Sequence, residues 1–183
     1  WRTASLSSDS GPLRRPLAML SFAINYVSSD GLTNFSVKLV NLGIHLGCGS
    51  LVYLLALLVL RRGVPGLNPA CAGRIALLAT ALWLLAPLHV STVLYAVQRM
   101  AQLATLFTLA GLCLFAYRRD SWAEQGASLG DFFATSLWLM LLLLLAVLSK
   151  ENGIVLVWLL TVLEITLFRG QWAGQKVYWL NLL

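Results

Sequence analysis

Hydrophobic residues along this chain fall into long runs rather than alternating, and short polar or basic stretches separate the runs. The run that organises the rest is Asn34 to Leu60, which contains no proline and stops at Arg61-Arg62. As a helix rising about 1.5 Å per residue it reaches about 40 Å. That is enough to cross a hydrocarbon core of about 30 Å with some tilt. Its second half, from Leu51, is apolar all round. In its first half, Asn34, Lys38, Asn41 and His45 recur at spacings of four, three and four, which places them on one helical face. Lipid cannot satisfy such a stripe, so it must face protein or water. The expectation is that this half lines a cavity open to one side of a membrane.

Taken in order, Trp1 to Gly11 is polar and serine-rich and reads as irregular. Pro16 suits a first helical turn, and the apolar segment that follows, about 16–27, is too short to span. It predicts a helix lying at the membrane interface, within an outer segment covering 1–33. A transmembrane bundle over 34–183 follows, with spans at about 34–60, 75–88, 92–117, 132–148 and 154–168. The second of these is short and has room to begin nearer Ala70. Pro87-Leu88-His89 ends it, and Arg118-Arg119-Asp120 ends the third. Ser121 to Gly130 reads as a polar loop and Ser149 to Gly153 as a tight connection. Gly43 and Gly47 are spaced for close helix packing. Trp122, Trp172 and Trp179 fit interfacial anchors.

Composition agrees with this pattern. Hydrophobic residues make up 59% and charged residues 11% of the 183, and the mean hydropathy is +0.80. A soluble domain is nearer a quarter charged. The fold class expected is therefore all-α, a polytopic integral membrane helix bundle of about five spans plus the interfacial helix. The net charge of +6 is read through topology, since no basic run interleaved with aromatics suggests a nucleic-acid partner. Arg61, Arg62, Arg74, Arg118, Arg119, Arg169 and Lys176 fall on one side, against Arg2, Arg14, Arg15, Arg99 and Lys150 on the other. The first set defines a cytoplasmic side. The N-terminal segment, the His89 loop and the Lys150-Glu151 turn then lie outside, which in a bacterial inner membrane is periplasmic. The chain opens on Trp1 without an initiator Met or signal peptide and reads as the middle of a longer protein. Cys48, Cys71 and Cys113 have no metal-type spacing, so neither a disulfide nor a metal site is expected.

Three polar features converge on the outer side in this arrangement. The first is the Lys38, Asn41 and His45 stripe, with Arg14 and Arg15 upstream. The second is Ser91, Tyr95, Gln98, Arg99 and Gln102 at helical spacing. The third is Lys150-Glu151, and His89 lies in a neighbouring loop. Together they predict a basic pocket at the membrane surface, suited to a phosphate carrying a lipid tail. Each also has a plainer explanation: Lys38 as a snorkelling side chain, His45 as an interhelical hydrogen bonder, Arg99 as an interfacial charge, and Lys150-Glu151 as a polar turn. Acid–base chemistry on that side needs a carboxylate. Asp9, Asp30 and Glu151 are the candidates, and none forms an obvious pair. Glu151 is the one retained. Glu164 is given no role.

These residues resemble a known pattern. Arg15-Pro16, then Phe35-x-x-Lys38-Leu39-Val40-Asn41-Leu42-x-x-His45, Pro87-Leu88-His89, Gln98-Arg99 and Leu148 to Gly153 are similar, in matching order, to membrane glycosyltransferases of the GT-C superfamily. The nearest look is to protein O-mannosyltransferase-like proteins of the transmembrane-and-tetratricopeptide kind. The resemblance covers about Leu13 to Phe168. It implies a larger GT-C-like fold and transfer of a sugar from a polyprenyl-phosphate carrier to a protein or glycan acceptor; from the sequence itself no cofactor is expected. It also implies that Arg15 contacts the lipid phosphate and that Lys150 lies near the same cavity. The chain departs from the pattern in carrying Ala101-Gln102 where many relatives have an Asp shortly after the Arg. The family's acidic motif lies in the first outer loop, after a first transmembrane helix, so the five spans here would be the second to sixth. The alternatives are a non-catalytic membrane scaffold within a larger complex, with a soluble repeat domain beyond Leu183, or a lipid-linked glycan ligase or flippase-like transporter.

Overall fold

The computed structural model describes residues 15–29, 31, 33–126 and 128–168, and all of its regular structure is helical among the described residues. Among the described residues there are seven α-helices: α1 (Pro16–Ser28), α2 (Asn34–Gly63), α3 (Pro69–Leu84), α4 (Val90–Leu94), α5 (Arg99–Gln125), α6 (Leu129–Ser149) and α7 (Val155–Leu163). Four helical segments are long and apolar enough to cross a membrane: Asn34–Gly63, Ala96–Gln125, Leu129–Ser149 and Glu151–Phe168. The pair Pro69–Leu84 and Pro87–Leu94 supplies a fifth, bent by 50°. The polytopic bundle expected from the sequence is thus what the chain forms.

Local chemistry sets the ends. Thr33 caps α2 by accepting from the Ser36 amide at 3.1 Å. Asn68 caps α3, accepting from the Ala70 amide at 2.9 Å, and Pro69 takes the first-turn position. That cap draws the second span back to Pro69, ahead of the expected start near 75. Ser128 caps α6 and also donates to the Asp131 carboxylate at 2.8 Å. The expected third span, about 92–117, differs at both ends. Tyr95 is extended (φ −97°, ψ 127°), so α4 belongs with the bent second span and α5 starts at Arg99. At the far end α5 runs past Arg118-Arg119-Asp120 to Gln125, through half of the expected polar loop.

Ion pairing explains that overrun. Arg119 is fully buried and donates from Nε and Nη2 to Glu164 at 2.9 and 2.8 Å. Phe168 lies 5.0 Å beneath its guanidinium, and Arg62 pairs with Asp120 at 3.6 Å. A charge run that reads as a solvated stop is therefore part of the packing between α2, α5 and the π turn Glu164–Phe168. Glu164 gains a partner that the sequence did not assign it.

Glycines permit close approach, as at Gly111 and Gly153. A Cβ on Gly111 would lie 2.9 Å from Leu156, which is fully buried where α7 crosses α5. A Cβ on Gly153 would sit 2.3 Å from the Ala146 carbonyl carbon, so the turn into α7 is laid directly on the α6 backbone. The Gly43/Gly47 pair behaves unevenly: a Cβ on Gly47 would lie 3.4 Å from Leu106, whereas one on Gly43 would meet open space. The outward surface is apolar, with Leu78 and Leu82 on α3, Leu137 and Met140 on α6 and Trp158 on α7 all exposed. A bundle that buries small and polar groups and presents leucine outward suits lipid as its solvent. Helix α1 follows the same rule, exposing Met19, Leu20, Ile24 and Val27 while burying Asn25.

Candidate functional site

The polar stripe on α2 faces protein at its two deeper positions, and the reason lies in the broken helices beside it. The bend after Leu84 and the extension at Tyr95 free backbone carbonyls that an unbroken helix would have bonded. Asn41, fully buried, donates its side-chain amide to the Val93 and Tyr95 carbonyls, both at 3.2 Å. His45 Nε2 donates to the Leu84 carbonyl at 3.2 Å. A neighbouring helix thus re-satisfies what the breaks release. His45 also stacks on Trp83 at 5.2 Å, and His89 closes the cluster at 4.6 Å from Trp83 and 5.2 Å from His45. These rings sit beside a cleft of about 340 Å³ that is otherwise lined by aliphatic residues such as Leu42, Val90 and Leu94. The expected water-facing cavity wall on α2 is, at Asn41 and His45, interhelical bonding.

Arg99 is the node of this end of the bundle. It is fully buried, and its Nε donates to Asn41 Oδ1 at 2.8 Å. Its Nη2 donates to Asn25 Oδ1 at 2.9 Å and to the Val37 carbonyl at 3.0 Å, and its Nη1 to the Ser21 carbonyl at 3.4 Å. Phe22 lies 4.2 Å below the guanidinium. One side chain thereby ties α1, α2 and α5 together, and the rigid fork of arginine is what reaches acceptors on separate helices.

A second basic group assembles at the same end. Arg15, the residue before α1, donates from Nε and Nη2 to Glu151 at 3.3–3.4 Å and from Nη1 to Met100 Sδ at 3.3 Å. Met100 adjoins Arg99, so both arginines meet the start of α5. Lys150, next to Glu151, lines a cleft of about 360 Å³ between α5 and α7. Its walls include Thr105, Thr108 and Leu109 on α5, Val155 and Leu159 on α7, and Asn152 from the turn. The result is a largely apolar cleft with Lys150 in its wall, next in sequence to the Glu151 that pairs with Arg15.

Of the residues singled out from the sequence, Arg15, Lys150 and Glu151 come together. Arg99 and Asn41 form the buried network behind them. His45 and His89 form a separate aromatic cluster, and Gln98 is half-buried at the entry to α5. Lys38 is exposed and stands apart. Arg14, Asp9 and Asp30 lie outside the described residues. Among the described residues no group of three or more His, Cys, Asp or Glu side chains is placed to hold a metal ion. Sequence reasoning missed Asn25, whose signal was a lone amide in an apolar helix, and the cleft residues Thr105 and Thr108, which gave no signal. Gln102, buried one turn beyond Arg99, keeps its side-chain amide without a protein partner.

Comparison with known proteins places the chain among relatives. It is 33% identical over 172 residues to mouse protein O-mannosyl-transferase TMTC4 and 32% identical over 174 residues to the human protein of that name. Each alignment covers 90% of this chain, and the chain spans 22% of each relative's length. That kinship bears out the resemblance to O-mannosyltransferase-like proteins read from the ordered motifs. Both relatives are mammalian and lend no support to the bacterial inner membrane expected from the sequence. No family model and no solved structure matches the chain.

Proposed function

We propose that this chain, a sequence relative of protein O-mannosyl-transferases, forms the lipid-carrier site of a membrane glycosyltransferase. The donor is a sugar on a polyprenyl phosphate and the acceptor a protein or glycan. The cleft between α5 and α7 carries the proposal. It offers a largely apolar cleft with Lys150 in its wall. A polyprenyl chain gains by leaving water for such walls, while its phosphate needs a cation at the rim. Arg15, paired with the Glu151 that follows Lys150, would be the second cation offered to the headgroup. In this reading Arg99, Asn41 and Asn25 hold α1, α2 and α5 in register, and Glu151 is the carboxylate nearest the headgroup among the described residues. The end of the bundle that carries Arg15 and Lys150 faces the lumenal or external side, in keeping with the richer arginine content of the other end. The larger GT-C-type architecture of the resemblance would supply the remaining machinery.

The test is capture of the carrier. Purified protein in detergent is titrated with a polyprenyl phosphate. Replacing Lys150 with alanine is expected to weaken binding by about tenfold or more, the worth of a hydrogen bond to a charged group. Binding of the matching uncharged polyprenol should stay as it was. Undiminished phosphate binding by the Lys150→Ala protein would remove the headgroup from this cleft.

A further inference from the structure

We propose that Glu151 sets the specificity of the headgroup site by holding Arg15 as a phosphate would, so that a ligand must displace it to bind. The inference rests on the reading that Arg15 and Lys150 receive a lipid-linked phosphate, and it concerns what selects that ligand.

The protein contains its own contrast. The Arg119–Glu164 pair is closed at 2.8–2.9 Å, with Arg119 fully buried. The Arg15–Glu151 pair uses both carboxylate oxygens in the same forked manner, yet every contact is 3.3–3.4 Å. Its side chains keep 29% and 41% of their surface. Charge-assisted hydrogen bonds normally close to about 2.7–2.9 Å, so this pair is loose as well as accessible. An exposed pair of this kind contributes little to stability and is easily exchanged for a better anion.

Arg15 is also the only non-glycine residue with positive φ among the described residues (φ 41°, ψ 58°). It immediately precedes Pro16, whose ring disfavours the right-handed helical region there. A left-handed arginine is strained, and such strain persists where the surroundings fix it, often at ligand sites. From this backbone the Arg15 side chain reaches both Glu151 and the Met100 sulfur at the start of α5. Arg15, Lys150 and Glu151 carry a net single positive charge. A polyprenyl phosphate monoester, with more charge and more acceptor oxygens than a carboxylate, outcompetes Glu151, and an uncharged polyprenol does not. Glu151, whose side chain keeps 41% of its surface, then swings away from Arg15.

The expected signature has the opposite sign from that of a residue that grips the ligand. Glu151→Gln keeps the shape and removes the charge. It should tighten binding of a polyprenyl phosphate in detergent micelles by up to about fivefold, the worth of a partly exposed pair. Polyprenol binding should not change. Arg15→Ala should weaken phosphate binding, and adding Glu151→Gln to Arg15→Ala should recover nothing. A gain in affinity cannot come from misfolding. Unchanged or weaker binding by Glu151→Gln, with Arg15→Ala still weakened, would overturn the displacement and leave the carrier site standing. Normal phosphate binding by Arg15→Ala would overturn Arg15's part in the carrier site itself. Tightening towards inorganic phosphate alone would assign the pair to a free anion and contradict the lipid headgroup.

Discussion

Replacing Arg99 with alanine is expected to cost about 3 kcal/mol or more and to release α1 from the bundle. Four hydrogen bonds disappear together, to Asn41, Asn25, Val37 and Ser21. Hydrogen bonds to charged groups contribute about 1.5–3 kcal/mol each, and a buried acceptor left without a donor adds its own penalty. The loss is less than the simple sum, because polar groups unfolded within a membrane find other partners. Asn41 would still hold the Val93 and Tyr95 carbonyls, so the break between α4 and α5 should survive while α1 detaches. Arg99→Lys is not expected to rescue, because an ammonium on a flexible stem cannot span acceptors on α1 and α2 at once. The checks are thermal stability in detergent and protease sensitivity near Ser29. An Arg99→Ala protein with the parent's midpoint and the parent's protease pattern would show that the network does not hold these helices.

Gly153→Ala is the second severe change. The added methyl would meet the Ala146 carbonyl carbon at 2.3 Å, the Ala146 oxygen at 2.6 Å and the Val147 nitrogen at 2.6 Å. All are backbone atoms of α6, so no side chain can swing aside. The α6–α7 turn must open, at a cost of about 3 kcal/mol, the upper end for overpacking. Opening it moves Glu151 away from Arg15 and widens the cleft beneath Lys150. The variant should lose stability and phosphate-lipid binding together. Gly111→Ala meets only the Leu156 side chain, at 2.9 Å and beyond, and should be milder. Equal stability for Gly153→Ala and the parent protein would mean that the turn is not packed as described.

The sequence made the membrane bundle legible because lipid imposes a simple rule: long apolar runs become spans and basic residues flank them. The first, fourth and fifth spans end within a few residues of where that rule puts them, whereas the second and third are displaced. It failed where charge is buried. Arg118-Arg119-Asp120 looks like a stop when read alone. Only Glu164 and Phe168, distant in the chain, make it the interior of α5. It also failed at Tyr95, where the break depends on Asn41 accepting the duty of the missing helical donors. In the site, the pairing of Arg15 with a turn far along the chain was legible only as convergence on one side. The distinction between polar groups that serve the fold and those that face a ligand was not legible. Asn41, His45, Arg99 and Lys150 all read as polar residues at membrane depth, and the first three turn out to spend their hydrogen bonds on protein. Lys150 differs because its neighbours on α5 and α7 leave a slot beside it, and side-chain packing of that kind has no periodicity to reveal it.

The central claim is that a phosphate-bearing lipid occupies the slot between α5 and α7. The most direct measurement places a photoreactive residue at Thr108, inside the slot, and in a separate protein at Leu78, on the outward face of α3. Each is illuminated with a labelled polyprenyl phosphate or the matching polyprenol. The account predicts that position 108 captures the phosphate lipid in preference to the alcohol and loses that preference on Lys150→Ala, while position 78 captures both alike. Equal capture of the two lipids at position 108, unaltered by Lys150→Ala, would contradict it.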